Sequence, residues 1–172
     1  MAPVIDSFDL NGLRLTSGEG RRLDLAVRIA PFALGADEYP VDPDAVPVRV
    51  DVSRTTGPGY ALRLRFDATL RGPCMRCLEP AEARFAVDVR EISQPGGGDE
   101  LDSPYVDGGV LDLGGWARDA LALSLPRAIL CREDCAGLCP ECGADLNLAG
   151  PDHRHAGEPD PRWSKLSEIT FD

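Results

Sequence analysis

Two thiolates three positions apart on the chain make a ready half-shell for a borderline metal ion. This chain offers that spacing twice, as Cys74 and Cys77 in PCMRCLEP and as Cys139 and Cys142 in CPECG. A looser pair, Cys131 and Cys135 in CREDC, completes its six cysteines. Zn²⁺ takes four thiolate or imidazole ligands in a tetrahedron, with sulfur at about 2.3 Å. One C-x-x-C turn supplies two ligands, and a second pair from elsewhere closes the shell. Gly143, directly after Cys142, suits the tight turn of a metal knuckle because glycine reaches positive φ without strain.

Six thiols exceed what one zinc needs, and three arrangements compete. Cys74, Cys77, Cys139 and Cys142 form one site and leave Cys131 and Cys135 spare. Alternatively, Cys131 and Cys135 meet Cys74 and Cys77. In the third, all six hold two metals through shared thiolates. The first is preferred, since paired C-x-x-C turns are the commonest closed form. The expected cofactor is one structural zinc. Such a site has no open position for water and does no chemistry; it staples distant segments together in place of hydrophobic core. The rival is a thiol redox protein using one C-x-x-C, which needs an exposed low-pKa thiol where a strand meets a helix. Neither pair reads in that context, and the spacings do not match iron–sulfur runs. His153 and His155 follow the last cysteine closely as a His-x-His that could ligate, but they stand in a proline- and glycine-rich stretch beside Asp152 and Arg154, and solvated histidines are the preferred reading.

The elements that must position these thiols read mainly as strands. RLDLAVRIAP sets Leu23, Leu25, Val27 and Ile29 against polar neighbours, and VPVRVDVSR does the same with Val46, Val48, Val50 and Val52. Period two marks half-buried strands. GYALRLRFDATLRG puts Tyr60, Leu62, Leu64, Phe66, Ala68 and Leu70 on one face, and ARFAVDVREI alternates Phe85, Val87 and Val89. These two strands flank PCMRCLEP, so the first cysteine pair sits on the connection of an antiparallel hairpin. FALGADEYPVDPDA, full of turn residues, reads as loop. The acidic, glycine-rich stretch 93–111 reads as a mobile loop. DLGGWARDALALSLP reads as a helix capped by Asp112 and ended by Pro126, with Trp116, Ala120 and Leu123 on one side. Residues 149–160 read as linker, and 161–172 as a short final helix or tail with Trp163, Leu166 and Ile169 on one side.

The fold class is therefore α+β: a mainly antiparallel sheet, one or two helices and a zinc-stapled cysteine-rich C-terminal region, forming a single domain over 1–148. The formal net charge of −11 disfavours broad binding to phosphate backbones and suits a basic protein partner. Against that stands an arginine face: Arg63, Arg65, Arg71, Arg84 and Arg90 on the polar sides of the hairpin strands, with Arg76 in the knuckle itself. It could grip phosphate, but Asp67, Glu82, Asp88 and Glu91 are interleaved, and an ordinary wet sheet face is the preferred reading. No nucleophile elbow, phosphate loop or H-E-x-x-H is present, which argues against an enzyme with a small-molecule substrate. The first residues lack a basic start and apolar run, and no stretch reaches the roughly 18 apolar residues of a membrane span. The expected location is the cytoplasm, where thiols stay reduced.

CMRCLEP, LDLGGWARDALALSLPRAILCREDCAGLCPECGADLN and DPRWSKL together resemble the YceD family, found in bacteria and plastids. The family's first cysteine pair falls on Cys74 and Cys77, with Arg76 and Leu78 beside it. Its second block falls on Cys131, Cys135, Gly137, Leu138, Cys139, Pro140, Cys142, Gly143, Leu146 and Asn147. Its terminal motif falls on Asp160, Pro161, Arg162, Trp163 and Leu166. The resemblance implies a role in accumulation of large-subunit ribosomal RNA. It implies a non-enzymatic accessory factor of large-subunit biogenesis, with a ribosomal protein or the ribosomal RNA precursor as partner. It supplies no catalytic mechanism.

Overall fold

The computed structural model describes residues 2–98, 101–150 and 152–155. Ten strands are present among them: β1 (Ser7–Asp9), β2 (Gly20–Val27), β3 (Phe32–Leu34), β4 (Asp37–Tyr39), β5 (Val41–Asp42), β6 (Val46–Arg54), β7 (Tyr60–Pro73), β8 (Pro80–Ser93), β9 (Val106–Asp107) and β10 (Val110–Asp112). Two helices follow, α1 (Leu113–Leu123) and α2 (Leu146–Ala149). None is long and apolar enough to cross a membrane.

The main sheet has β7 at its centre. Its first half pairs with β6, its second half meets β5, and β8 runs along its other edge from Tyr60↔Ser93 to Pro73↔Pro80. β2 pairs with the far side of β6, and every pairing is antiparallel. The period-two reading holds here. Val46, Val48, Val50 and Val52 are buried, as are Tyr60, Leu62, Leu64, Phe66, Ala68 and Leu70 of β7. Across β8, Val87 is buried and Phe85 and Val89 pack half-buried against the same core.

Three expectations are corrected. The segment from Phe32 to Ala45 is not a plain loop. β3 and β4 form a hairpin turned at Gly35 (φ 70°), and β5 adds to β7 through Val41↔Leu70. These strands are two or three residues long, too short for alternation to show. Within 93–111, β9 and β10 form a three-stranded sheet with β1, so that part of the stretch is ordered. Leu111 is fully buried there. On α1, Asp112 caps as expected, accepting from the Gly115 N–H at 2.9 Å. The buried stripe, however, is Leu113, Trp116, Ala117, Ala120 and Leu121, while Leu123 is 87% exposed. The helix touches β1, β2 and β8, which sets that face inward. The expected final helix, with Trp163, Leu166 and Ile169, lies outside the described residues, as does most of the stretch read as linker.

The arginine face of β7 and β8 is paired except at Arg90. Arg63 holds Asp88 through two bonds of 2.7 and 2.5 Å, and Arg22 and Arg65 share Asp51. Arg71 faces Asp42 and Glu82, and Arg84 faces Glu82. Arg90 has no ion-pair partner among the described residues. The hydrogen bond from Arg22 holds the Asp51 carboxyl below its ordinary 3.8, helped by Arg65 and opposed by partial burial. A carboxylate depressed in the folded state adds stability above its unfolded pKa and loses it as pH falls through the lower folded value. Asp51→Asn should therefore flatten the loss of urea midpoint below about pH 4. An unchanged acid slope would show that the pair contributes nothing to stability.

Candidate metal centre

The β7–β8 hairpin closes through Cys74–Glu79, and its backbone shapes a thiol knuckle. The Cys74 N–H donates to the Glu79 carbonyl at 2.7 Å, and the Leu78 N–H donates back to the Cys74 carbonyl at 3.0 Å. The Arg76 N–H points at Cys74 Sγ, 3.5 Å away. Leu78 takes φ 65°, a left-handed position usual for glycine, and its side chain is 63% exposed.

The chain leaving α1 crosses the tip of this hairpin. Ile129, buried, accepts from the Met75 N–H at 2.9 Å, and its own N–H meets Met75 Sδ at 3.3 Å. Cys131 and Cys135 then come down on the knuckle. Cys77 Sγ lies 3.5 Å from Cys131 Sγ, and Cys74 Sγ lies 3.7 Å from Cys135 Sγ. A tetrahedron with bonds of about 2.3 Å has edges of about 3.8 Å. The four sulfurs thus stand close to the spacing of a metal shell. All four lie within 4.8 Å of one another, and three of the four residues are buried.

Electrostatics at the four thiols is opposed. Burial resists ionisation of Cys74, yet the N–H groups of Arg76, Cys77 and Cys131 outweigh it and bring the thiol down to about 6. For Cys77 the Glu79 N–H favours the thiolate, but burial and the three neighbouring thiols prevail and it is pushed up to about 12. Cys131 is also driven up, with the Cys77 hydrogen bond overcome by burial and by Cys135 and Cys74. Four sulfurs this close cannot all ionise without a cation between them. A dication would reverse that balance, because a coordinating thiol loses its proton.

Supporting bonds hold the site from outside. The Arg76 guanidinium donates to the Cys135 carbonyl at 2.8 Å, so this arginine turns into the knuckle. Asn147 accepts from the Ala136 N–H at 2.7 Å and points its amide at Cys135 Sγ, 3.7 Å away. Asp145 caps α2 and fixes that amide at 2.7 Å. Gly137 (φ 80°) lets the chain pass the knuckle: a Cβ there would stand 3.1 Å from the Arg76 carbonyl. Asp145 was not singled out in the sequence, although an aspartate directly before LNLA is the signal of a helix cap.

The preferred ligand set is corrected. Cys139 and Cys142 do not join Cys74 and Cys77; the second alternative, with Cys131 and Cys135, is the one the fold assembles. The thiols are not shared, so the six-cysteine arrangement does not form. Leu138 still bonds the Arg76 carbonyl, but Cys139 and Cys142 beyond it gather instead with His153 and His155. The histidines read as solvated are therefore drawn to sulfur. Two groups of side chains in this protein could each hold a metal ion.

Two relatives, uncharacterised proteins of Mycobacterium bovis and Mycobacterium tuberculosis, are each 41% identical to the chain over 104 residues, covering 57% of it and 49% of their own length. An uncharacterised protein of Mycobacterium leprae is 33% identical over 102 residues, covering 56% of this chain and 46% of its own. The chain spans about half the length of the curated relatives it matches. No solved structure matches it. The model of the family described as large ribosomal RNA subunit accumulation protein YceD matches residues 62–170, from β7 through both cysteine-bearing segments. That stretch is more than half of the chain, and the protein belongs to the YceD family.

Proposed function

We propose that the protein is a non-enzymatic accessory factor in accumulation of the large ribosomal subunit, and that it acts by holding a basic ribosomal protein rather than by gripping RNA. Family membership supports the ribosomal role. The choice of partner rests on one observation: the arginines of β7 and β8 other than Arg90 are spent on carboxylates of the same sheet, within a chain of net charge −11. Phosphate binding needs cations free to release counterions. An acidic surface instead steers a basic protein into contact.

In this reading the group of Cys74, Cys77, Cys131 and Cys135 holds one structural zinc. Its work is to fix the hairpin tip and present Met75, 39% exposed, and Leu78 to the partner. The redox alternative has less support. Cys74 and Cys139, the thiols brought down to about 6, are both buried, while the exposed Cys131 is driven the other way. Attack on a disulfide needs both properties in one thiol.

The test is capture by the immobilised full chain. Proteins extracted from large ribosomal subunits and protein-free large-subunit RNA are offered separately over a range of salt. Capture of a basic ribosomal protein, lost on Leu78→Asp while metal content is unchanged, is the expected result. Capture of RNA alone, weakening steeply with salt, would overturn the choice of partner.

A further inference from the structure

We propose that Cys139, Cys142, His153 and His155 form a second metal site, separate from the four-thiol group, that takes a tetrahedral borderline dication of the zinc class. No side chain is common to the two groups. The proposal stands on geometry and does not depend on the ribosomal reading.

The first argument is convergence. Cys139 Sγ lies 3.1 Å from His155 Nε2, Cys142 Sγ lies 3.5 Å from His153 Nε2, and the two Nε2 atoms are 3.0 Å apart. For zinc bonds of about 2.0–2.3 Å, tetrahedral edges run from about 3.3 to 3.8 Å. These three distances stand at or just inside those edges, and all four donors, from two segments and three of them not buried, lie within 4.8 Å of one another. Solvated side chains gain nothing by crowding so. Two imidazoles at hydrogen-bond distance with two thiols beside them lose rotamer freedom and water contacts, and a central dication supplies the missing attraction.

The second argument is the backbone. The Gly143 N–H donates to the Cys139 carbonyl and the Cys139 N–H to the Ala144 carbonyl, both at 2.8 Å. Gly143 takes φ 74°, and Leu138 bridges Asp145 in antiparallel fashion. This is a tight knuckle that turns two sulfurs the same way. Gly150, at φ 75°, then reverses the chain after α2, and the His153 N–H donates to its carbonyl at 3.3 Å. The reversal carries both histidines back over the knuckle.

The third argument is orientation of the ring. His155 Nδ1 lies 3.4 Å from Glu141 Oε2, while its Nε2 faces Cys139. A metal-bound histidine usually gives its other nitrogen to a carboxylate, which fixes its tautomer and raises its basicity. Here that carboxylate comes from inside the C-P-E-C turn itself. Glu141 is a positioning residue for His155. Two sulfurs and two nitrogens in a tetrahedron suit zinc rather than magnesium or calcium, which require oxygen ligands.

The test counts metal on the full chain by native mass spectrometry in chelator-buffered zinc, with cobalt(II) absorption as a second readout. The wild type should carry two ions per chain. His153→Asn with His155→Asn should carry one, and its cobalt spectrum should keep the charge-transfer intensity of a four-thiolate centre. Glu141→Gln should weaken the second ion by about 10- to 100-fold in competition with a chelator, leaving the first unaffected. One ion in the wild type with a four-thiolate spectrum would overturn the second site and leave the first standing. Two ions retained in the double histidine variant would also overturn it. No ion in the wild type would overturn both sites.

Discussion

Cys135→Ser should release the segment from Ile129 to Gly150 from the hairpin while the main sheet stays folded. The physical reason is a shortage of other attachments. Between α1 and Gly150 the described chain has one helix of four residues and no strand. Its buried side chains are Ile129, Cys135 and Cys139. Its backbone bonds to the hairpin tip include Met75 to Ile129 and Leu138 to Arg76. Ordering each residue costs about 1–2 kcal/mol of backbone entropy, and three buried side chains fall well short of offsetting that for such a segment. Binding of a structural zinc supplies on the order of 10 kcal/mol. Cys135 is 1% exposed, so the serine would also be left buried beside three thiols with one ligand missing. Amide hydrogen exchange reads the result directly. Leu138 and Leu146 should lose at least about a thousandfold of protection, corresponding to ~4 kcal/mol of local opening. The amide of Leu64, in the centre of β7, should keep its protection. Unchanged exchange at Leu138 and Leu146 would show that the four-thiol group does not hold the segment.

The contrast between sheet and staple tracks what was legible in the sequence. β6, β7 and β8 were visible because each has one wet face and one dry face for nine or more residues, and β2 because Leu23, Leu25 and Val27 alternate in sequence, although Ala26 is buried beside them. That alternation also placed Cys74 and Cys77 on a hairpin tip. Which pair would meet them was not legible. Local spacing decides which two thiols share a turn, whereas the partner pair is decided by where the chain crosses in space. Ile129 docks on Met75 and so delivers Cys131 and Cys135 to the hairpin tip; Gly137 and Leu138 pass against Arg76, and Cys139 beyond them falls to the other group. The histidines were legible as a His-x-His, but the reversal at Gly150 that aims them back was not. Short pairings were lost for a related reason. β3, β4, β5, β9 and β10 gain their order from tertiary contact rather than from pattern, as Leu111 and Tyr39 show by being buried in segments that read as loop.

Tyr39 is also the residue through which the overlooked hairpin governs the knuckle, and Gly72→Ala should expose that dependence. Tyr39 is fully buried and donates its hydroxyl to the Pro73 carbonyl at 2.7 Å. Pro73 immediately precedes Cys74, so this bond sets the direction in which β7 enters the thiol turn. Gly72 carries no positive φ, and its need is one of space. A Cβ there would stand 2.5 Å from Tyr39 Cε1. The ring sits in a packed core and cannot swing away without breaking its bond to Pro73. Overpacking of this kind costs about 3 kcal/mol, read as a fall in urea midpoint with unchanged slope. Tyr39→Leu removes the ring and its hydroxyl bond, and destabilises by its own cavity and lost hydrogen bond. In that background Gly72→Ala should cost almost nothing, because nothing remains for the new methyl group to strike. The double-mutant cycle therefore gives a coupling of about 3 kcal/mol that favours the double variant over the sum of the singles. Gly72→Ala should weaken metal binding at the four-thiol group as well, since displacement of Pro73 moves Cys74. Equal cost of Gly72→Ala in both backgrounds would place the strain elsewhere on β7 and detach the β3–β4 hairpin from the site.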